Sequence, residues 1–85
     1  MPAEDNRAAS QKLREIVAHV LEIDLVDVHA DARFYDDLSA NSLEKVEITL
    51  RIEKEFGALL STNEVAGIDC VADALALLQD KGVVG

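Results

Sequence analysis

The sequence predicts an all-α fold, a four-helix bundle with three longer helices and one short helix before the last. Apolar residues recur at helical spacing in most of the chain, and capping residues precede those stretches. Hydrophobic residues make up 49% of the 85 residues, yet there are only two Phe, one Tyr and no Trp, so the expected core is aliphatic. A chain of this length forms one domain, which we take as residues 1–85.

The first helix is predicted over residues 7–21, with Asn6 as its N-cap. Polar residues separate its apolar positions, as expected for a helix that buries one side. Those apolar positions are Ala9, Leu13, Ile16, Val17, Val20 and Leu21.

A long acidic loop is predicted over residues 22–41, where the helical spacing disappears. A loop of this length is uncommon in a compact domain and usually has a function. We expect its apolar residues to hold it against the core. They are Ile23, Val26, Val28, Phe34 and Leu38.

The second helix is predicted over residues 42–56 and has two apolar sides. The core side consists of Ile48, Thr49, Ile52 and Phe56. The other side is surrounded by acidic residues and consists of Leu43, Val46 and Leu50. Because a bundle helix needs one buried stripe, this second side is interpreted as a docking surface. Val46 fits docking and packing beneath the loop equally well, whereas docking is favoured for Leu50.

The remaining helices are predicted from their ends. Gly57 ends the second helix, and the Ser61–Glu64 pair has capping-box spacing, which predicts a short helix over residues 62–67. Asp69 is the predicted N-cap of a last helix over residues 70–80, which Gly82 stops. The predicted buried side of that helix is Ala72, Leu75, Ala76 and Leu78.

Charge and composition exclude several functions. A formal net charge of −9 opposes binding to nucleic-acid phosphates and favours basic patches on protein partners. The acidic loop lacks the Gly and the ligand spacing of an EF-hand, and no Cys/His cluster resembles a zinc site. Cys70 is the only cysteine, and there is no signal peptide or membrane-spanning stretch, so we expect a cytoplasmic protein.

Ser42 is the most informative residue for function. It lies at the first turn of the second helix, where a serine usually acts as a cap. A phosphodiester on Ser42 would also be stabilised by the free N–H groups and the dipole of the helix N-terminus. No base or triad is visible, so Ser42 is interpreted as a modified residue and no catalytic residue is assigned.

The residues around Ser42 resemble those of the acyl carrier proteins, whose signature is Asp-Leu-Gly-Ala-Asp-Ser-Leu. The resemblance extends over residues 8–80. Its main segments are Asp37-Leu38-Ser39-Ala40-Asn41-Ser42-Leu43, Val46-Glu47 and Ile52-Glu53-Lys54-Glu55-Phe56-Gly57.

This resemblance implies a 4′-phosphopantetheine arm that a phosphopantetheinyl transferase takes from coenzyme A and attaches to Ser42. The arm would carry acyl groups as thioesters to loading and transferring enzymes of fatty-acid, polyketide or related lipid synthesis, and these enzymes would have basic docking patches. We expect a monomer. The implied docking residues are Asp37, Leu43, Glu44, Val46, Glu47, Leu50 and Glu53.

Two residues depart from the family signature. Asn41 replaces the Asp that precedes the serine, and Ser39 replaces a Gly. In the family, that Asp helps the transferase to hold a metal ion. We therefore expect a specialised carrier with its own partners. The alternatives are an unmodified interaction subunit, an aminoacyl or peptidyl carrier and, last, a small hydrolase.

A further question is whether the cargo enters the core. The aliphatic interior could separate to admit an acyl chain; otherwise it is an ordinary packed core. The candidate lining residues are Ile48, Ile52, Phe56 and Leu75.

Overall fold

The structure is a computed structural model that describes residues 6–84, with side chains from residue 7 onward. It confirms the predicted all-α fold. Helix α1 comprises Asn6–Leu21, α2 comprises Ser42–Phe56, α3 comprises Thr62–Ala66 and α4 comprises Val71–Asp80. A 3₁₀ turn over Leu25–Asp27 interrupts the long loop. The proposed capping role of the Asn6 side chain lies outside the described side chains.

The core forms where α1 packs against both α2 and α4. Each of these helices contributes residues that are almost completely buried: Ala9, Leu13 and Val17 from α1, Ile48 and Ile52 from α2, and Val71, Ala74 and Leu78 from α4. Phe34 of the long loop is as deeply buried as these helical residues. The loop is therefore part of the core.

The predicted buried side of α4 is partly wrong. Leu78 is buried and Leu75 is half-buried, but Ala72 and Ala76 are exposed. Val71 and Ala74 are buried in their place. The side chain of alanine is too small to fix the orientation of a helix, so an alanine-rich pattern leaves the buried side undetermined.

Hydrogen bonds hold the long loop between α1 and α4. The Arg14 guanidinium of α1 donates to the backbone oxygens of Val28 (2.6 Å) and Leu25 (3.0 Å). On the other side, Phe34 N–H donates to the Asp69 oxygen at 2.8 Å. Val26 is an exception to the predicted packing of the loop, because it lies within the 3₁₀ turn and is 70% exposed.

The helix ends follow the predicted chemistry except at α4. Gly57 ends α2 in the left-handed conformation (φ 64°), and Ser61 and Glu64 form a capping box at α3. Asp69 was predicted to cap α4, and this prediction is wrong, because the N-cap is Cys70, which has no side-chain capping bond. The Asp69 carbonyl is bonded to Phe34 of the loop, and the Asp69 N–H donates to the Asp73 carboxylate at 3.0 Å. The chain enters the helix one residue later.

Among residues 6–84, no helix is both long and apolar enough to cross a membrane.

Candidate functional site

The first turn of α2 is held by a complete capping box. The Asn41 backbone is extended, and its side-chain oxygen accepts a hydrogen bond from the Glu44 N–H at 2.8 Å. The Glu44 carboxylate in turn accepts a bond from the Asn41 N–H at 3.0 Å. These two bonds satisfy donors that would otherwise have no partner at the helix start.

Ser42 therefore does not cap the helix. It is the first residue of α2 and is exposed, and its hydroxyl makes no hydrogen bond to any residue in the range 6–84. The capping interpretation of Ser42 is wrong because the residue before it performs that role. The hydroxyl is left accessible to a reagent or an enzyme, at the positive end of a fifteen-residue helix.

The loop places this serine at a fixed position. Ala40 is buried, and its N–H donates to the Phe34 oxygen at 2.8 Å, so the loop is anchored two residues before Ser42. Ser39 lies in the left-handed region, at φ 57°. A side chain in this conformation costs roughly 1–2 kcal/mol, which explains why glycine suits the position better.

An exposed apolar surface lies beside Ser42 on α2. Its residues are Leu43, Val46 and Leu50, which are 78%, 48% and 54% exposed. We call these three residues the α2 patch. Because nearly half of Val46 is accessible, it does not pack beneath the long loop.

Each of the predicted docking acids also has a partner within this chain. Glu44 belongs to the capping box, and the Glu53 carboxylate accepts a bond from the Leu60 N–H at 2.8 Å. The Asp37 carboxylate accepts a bond from the Arg33 N–H at 2.8 Å. Glu47 differs from these three acids, because its partner is a side chain: it forms an ion pair with Arg51 at 3.1 Å.

Lys45 was missed by the sequence reasoning. Its side chain is only 7% exposed, and its ammonium lies 5.5 Å from the centroid of the Tyr35 ring. The spacing contained a signal, because Lys45 precedes Ile48, Thr49 and Ile52 by three, four and seven residues and so extends the buried stripe.

The residues suggested to line a cargo cavity do not line the groove found on the surface of the described residues. Ile48 and Ile52 are enclosed in the core, and Phe56 and Leu75 are half-buried. The groove lies near the C-terminal end of α2. Its apolar lining residues are Ile16, Leu50, Ala58 and Leu59.

Charged groups elsewhere define no metal site. In the part of the chain that the structure describes, no three His, Cys, Asp or Glu side chains are grouped to hold a metal ion. The pKa of Glu64 is lowered from its ordinary value of 4.5, first by the Ser61 N–H and then by the Lys81 side chain, which donate to its carboxylate. This ionised group lies in α3, outside the first turn of α2.

Comparison with known proteins assigns a class to this fold and site. Residues 11–78 match the model of the family described as "Phosphopantetheine attachment site". Polyketide-8 synthase acyl carrier protein 2 of Streptomyces avermitilis is 42% identical over 71 residues, which is 84% of this chain and 82% of that protein. The acyl carrier protein of Solidesulfovibrio magneticus is 35% identical over 74 residues, 87% and 95% of the two chains.

A solved structure agrees with these relatives. The acyl carrier protein from Enterococcus faecalis superimposes with a TM-score of 0.74 and 26% identity, over 89% of this chain and 96% of that one. These matches define a small helical protein that carries a prosthetic group. The chain belongs to the acyl carrier protein family. It carries acyl groups as thioesters on covalently attached 4′-phosphopantetheine, and it is a carrier rather than a catalyst.

Proposed function

We propose that Ser42 is the residue that bears the 4′-phosphopantetheine, and that the chain delivers acyl groups to enzymes of polyketide, fatty-acid or related lipid synthesis. The observation that carries the proposal is the capping box of α2. Because Asn41 supplies the cap, the exposed Ser42 hydroxyl has no hydrogen bond to the described residues that esterification would break.

Attachment would form a bond between the Ser42 oxygen and the phosphorus of the pantetheine phosphate. The phosphoanhydride bond of coenzyme A would break, 3′,5′-adenosine diphosphate would leave, and the hydroxyl proton would pass to a base of the transferase. This chain would supply the exposed oxygen and the N–H groups of the first helical turn, which favour the negative charge of the product. The bound group supplies the thiol on which acyl thioesters are carried.

Intact mass spectrometry after incubation with a phosphopantetheinyl transferase and coenzyme A tests this assignment. The chain should gain one phosphopantetheinyl group, and the variant Ser42→Ala should gain none. Ser39→Gly is the matched control, because it removes the neighbouring hydroxyl and should still be loaded. Full loading of Ser42→Ala would contradict the proposal.

The α2 patch and its acids are the proposed docking surface for partner enzymes. Apolar side chains within an acidic surround fit a partner site that is basic at its rim and apolar at its centre. Leu50→Ser should weaken complex formation with the transferase at all ionic strengths, whereas Glu47→Gln should mainly slow association at low salt. Stopped-flow binding separates the two effects, and unchanged binding in both variants would contradict the assignment.

Asn41 supports a specialised carrier. It caps α2 as well as an aspartate would, but it adds no carboxylate beside the attachment serine. A transferase that needs that carboxylate for its metal ion should load Asn41→Asp roughly tenfold more efficiently than the natural chain, as expected for a group that orients a metal site. Equal kcat/KM values with a broad-specificity transferase would contradict the specialisation.

Residues 1–85 are further proposed to act as one monomeric carrier domain in the cytoplasm. Three helices share one hydrophobic core, and Cys70 is a free thiol, as expected in a reducing compartment. Light scattering coupled to size-exclusion chromatography tests the monomer, and fractionation of the native cells tests the compartment.

A further inference from the structure

The Lys45 side chain is an unusual cation in this protein. It is 93% buried in a chain whose net charge is −9. Within residues 6–84, no carboxylate lies within ion-pair distance of its ammonium, and no hydrogen bond is formed with it. The stem of this side chain is buried, while its ammonium keeps some contact with solvent, since no fully buried side-chain nitrogen among the described residues lacks a hydrogen-bond partner. The ammonium is therefore held in place by its stem and remains open to an added anion.

Three other described cations have partners. Arg33 pairs with Asp36 at 3.8 Å, Arg51 pairs with Glu47, and Arg14 binds backbone oxygens of the loop. Among the described residues, the Lys45 ammonium lies over the electron-rich face of the Tyr35 ring, 5.5 Å from its centroid. This contact stabilises a cation but leaves its charge uncompensated.

The attachment serine lies one helical turn away. Ser42 and Lys45 are three residues apart on α2, so their Cβ atoms are separated by about 5–6 Å. A lysine side chain can span a distance of this order. A group bonded to the Ser42 oxygen therefore comes within reach of the Lys45 ammonium.

We propose that Lys45 is a positioning residue whose ammonium, supported by the Tyr35 ring, pairs with the phosphodiester that joins Ser42 to its prosthetic group. The inference rests on the proposed function, since it requires Ser42 to be the attachment residue. The single negative charge of a phosphodiester matches the single uncompensated charge of Lys45. The N–H groups of the first turn of α2 contribute to the same anion environment.

This pairing also gives the prosthetic group a direction. In a projection at about 100° per residue, Lys45 falls on one side of Ser42 and the centre of the α2 patch falls on the other. A phosphate held by Lys45 directs the first atoms of the arm toward Tyr35 and the loop. The α2 patch then stays uncovered for a partner protein.

Thermal unfolding of the unloaded and loaded chain tests the pairing, with loading first verified by intact mass. Loading should raise the melting temperature of the natural chain by roughly 4 °C. It should raise that of Lys45→Met much less, because methionine retains the buried stem and removes the charge. Lys54→Met is the control: it removes one charge at the other end of α2 and should keep the full rise.

Nuclear magnetic resonance of the loaded natural chain provides a measurement that needs no variant. Nuclear Overhauser effects should join the Lys45 ε-protons and the Tyr35 ring protons to the first methylene group of the arm. In addition, the ³¹P resonance should shift in Lys45→Met and stay in place in Lys54→Met.

The outcomes separate this inference from the function on which it rests. A chain that gains no phosphopantetheinyl mass at Ser42 overturns both. A fully loaded chain in which Lys45→Met and Lys54→Met show equal thermal and ³¹P changes, or in which the arm shows no contact with Lys45, overturns the role of Lys45 alone.

Discussion

The starts of α2 and α3 use the same capping box with the serine in different places. At α3 the Ser61 hydroxyl itself accepts the bond from the Glu64 N–H, at 3.1 Å. At α2 that role belongs to Asn41, and the serine follows it by one residue. The Ser61 hydroxyl is therefore bonded within its own helix, while the Ser42 hydroxyl is exposed and forms no hydrogen bond with residues 6–84. A shift of one residue separates a serine that caps its helix from a serine whose hydroxyl is exposed.

Exchange of Asn41 and Ser42, in the double variant Asn41→Ser/Ser42→Asn, is the most severe test of the difference between the two serines. Serine and asparagine are both good N-caps, so the helix should remain stable. The hydroxyl would now be occupied in the cap, one position earlier, and loading by the transferase should be lost completely. Intact mass and thermal unfolding measure the two results. A loaded double variant would show that the transferase accepts a hydroxyl that is one residue earlier and occupied in the cap, and would contradict the proposed difference between the two serines.

Removal of each N-cap should show how much that cap stabilises the protein. Asn41→Ala and Ser61→Ala should each lower the free energy of unfolding by about 1 kcal/mol, since each leaves helix donors without a partner. Ser42→Ala should change it by much less, because its hydroxyl forms no bond within the described part of the chain. Urea denaturation gives the three values. An equal loss in all three variants would mean that Ser42 also stabilises the helix start.

The capping box of α3 should contribute to the pH dependence of stability. The pKa of Glu64 is lowered in the folded protein, by the Ser61 N–H and by Lys81, so its ionised form favours folding. The stabilisation is present above the ordinary pKa of 4.5 and is lost as the pH falls through the lower folded value. In Glu64→Gln, the free energy of unfolding should therefore fall less steeply as the pH is lowered below about 5. Denaturation at a series of pH values measures this dependence. Lys81→Met should flatten the same profile in part, because it removes one of the two groups that lower the Glu64 pKa. An unchanged profile in both variants would mean that Glu64 does not contribute to the pH dependence of stability.

Ser39, in the loop before Ser42, should have a small effect on the free energy of unfolding. Because Ser39 has φ 57°, Ser39→Gly should relieve backbone strain. Glycine is also more flexible in the unfolded chain, which offsets part of this gain, so the free energy of unfolding should rise by about 0.5 kcal/mol. Ser10→Gly, within α1, should lower it by a similar amount. A rise in the free energy of unfolding for Ser39→Gly together with a fall for Ser10→Gly, both measured by denaturation, would confirm the strain. Equal falls in the two variants would exclude it.

Local chemistry allowed most of the site to be predicted from the sequence. The helix expected over residues 42–56 lies at Ser42–Phe56, and Gly57 ends it as expected, because caps and glycine act on their own neighbours. The exposure of Leu43 and Leu50 also followed from spacing alone.

Features that depend on distant contacts could not be predicted in this way. Asp69 looks like a helix cap in sequence, but its carbonyl is bonded to Phe34, which is 35 residues away. The orientation of α4 depends on packing that alanines do not specify. The sequence analysis did not consider Lys45, although its position continues the buried stripe.

The anchoring of the long loop has a consequence for hydrogen exchange. Arg14 attaches the loop to α1, and the Phe34–Asp69 bond attaches it to the start of α4, where the Ala72 N–H also donates to the Ala30 oxygen at 2.8 Å. The amides of Phe34 and Ala72 should therefore exchange with solvent only when the bundle itself opens. A segment without regular helices along most of its length then belongs to the same cooperative unit as the helices, and a protease should find few cleavage sites there in the folded chain.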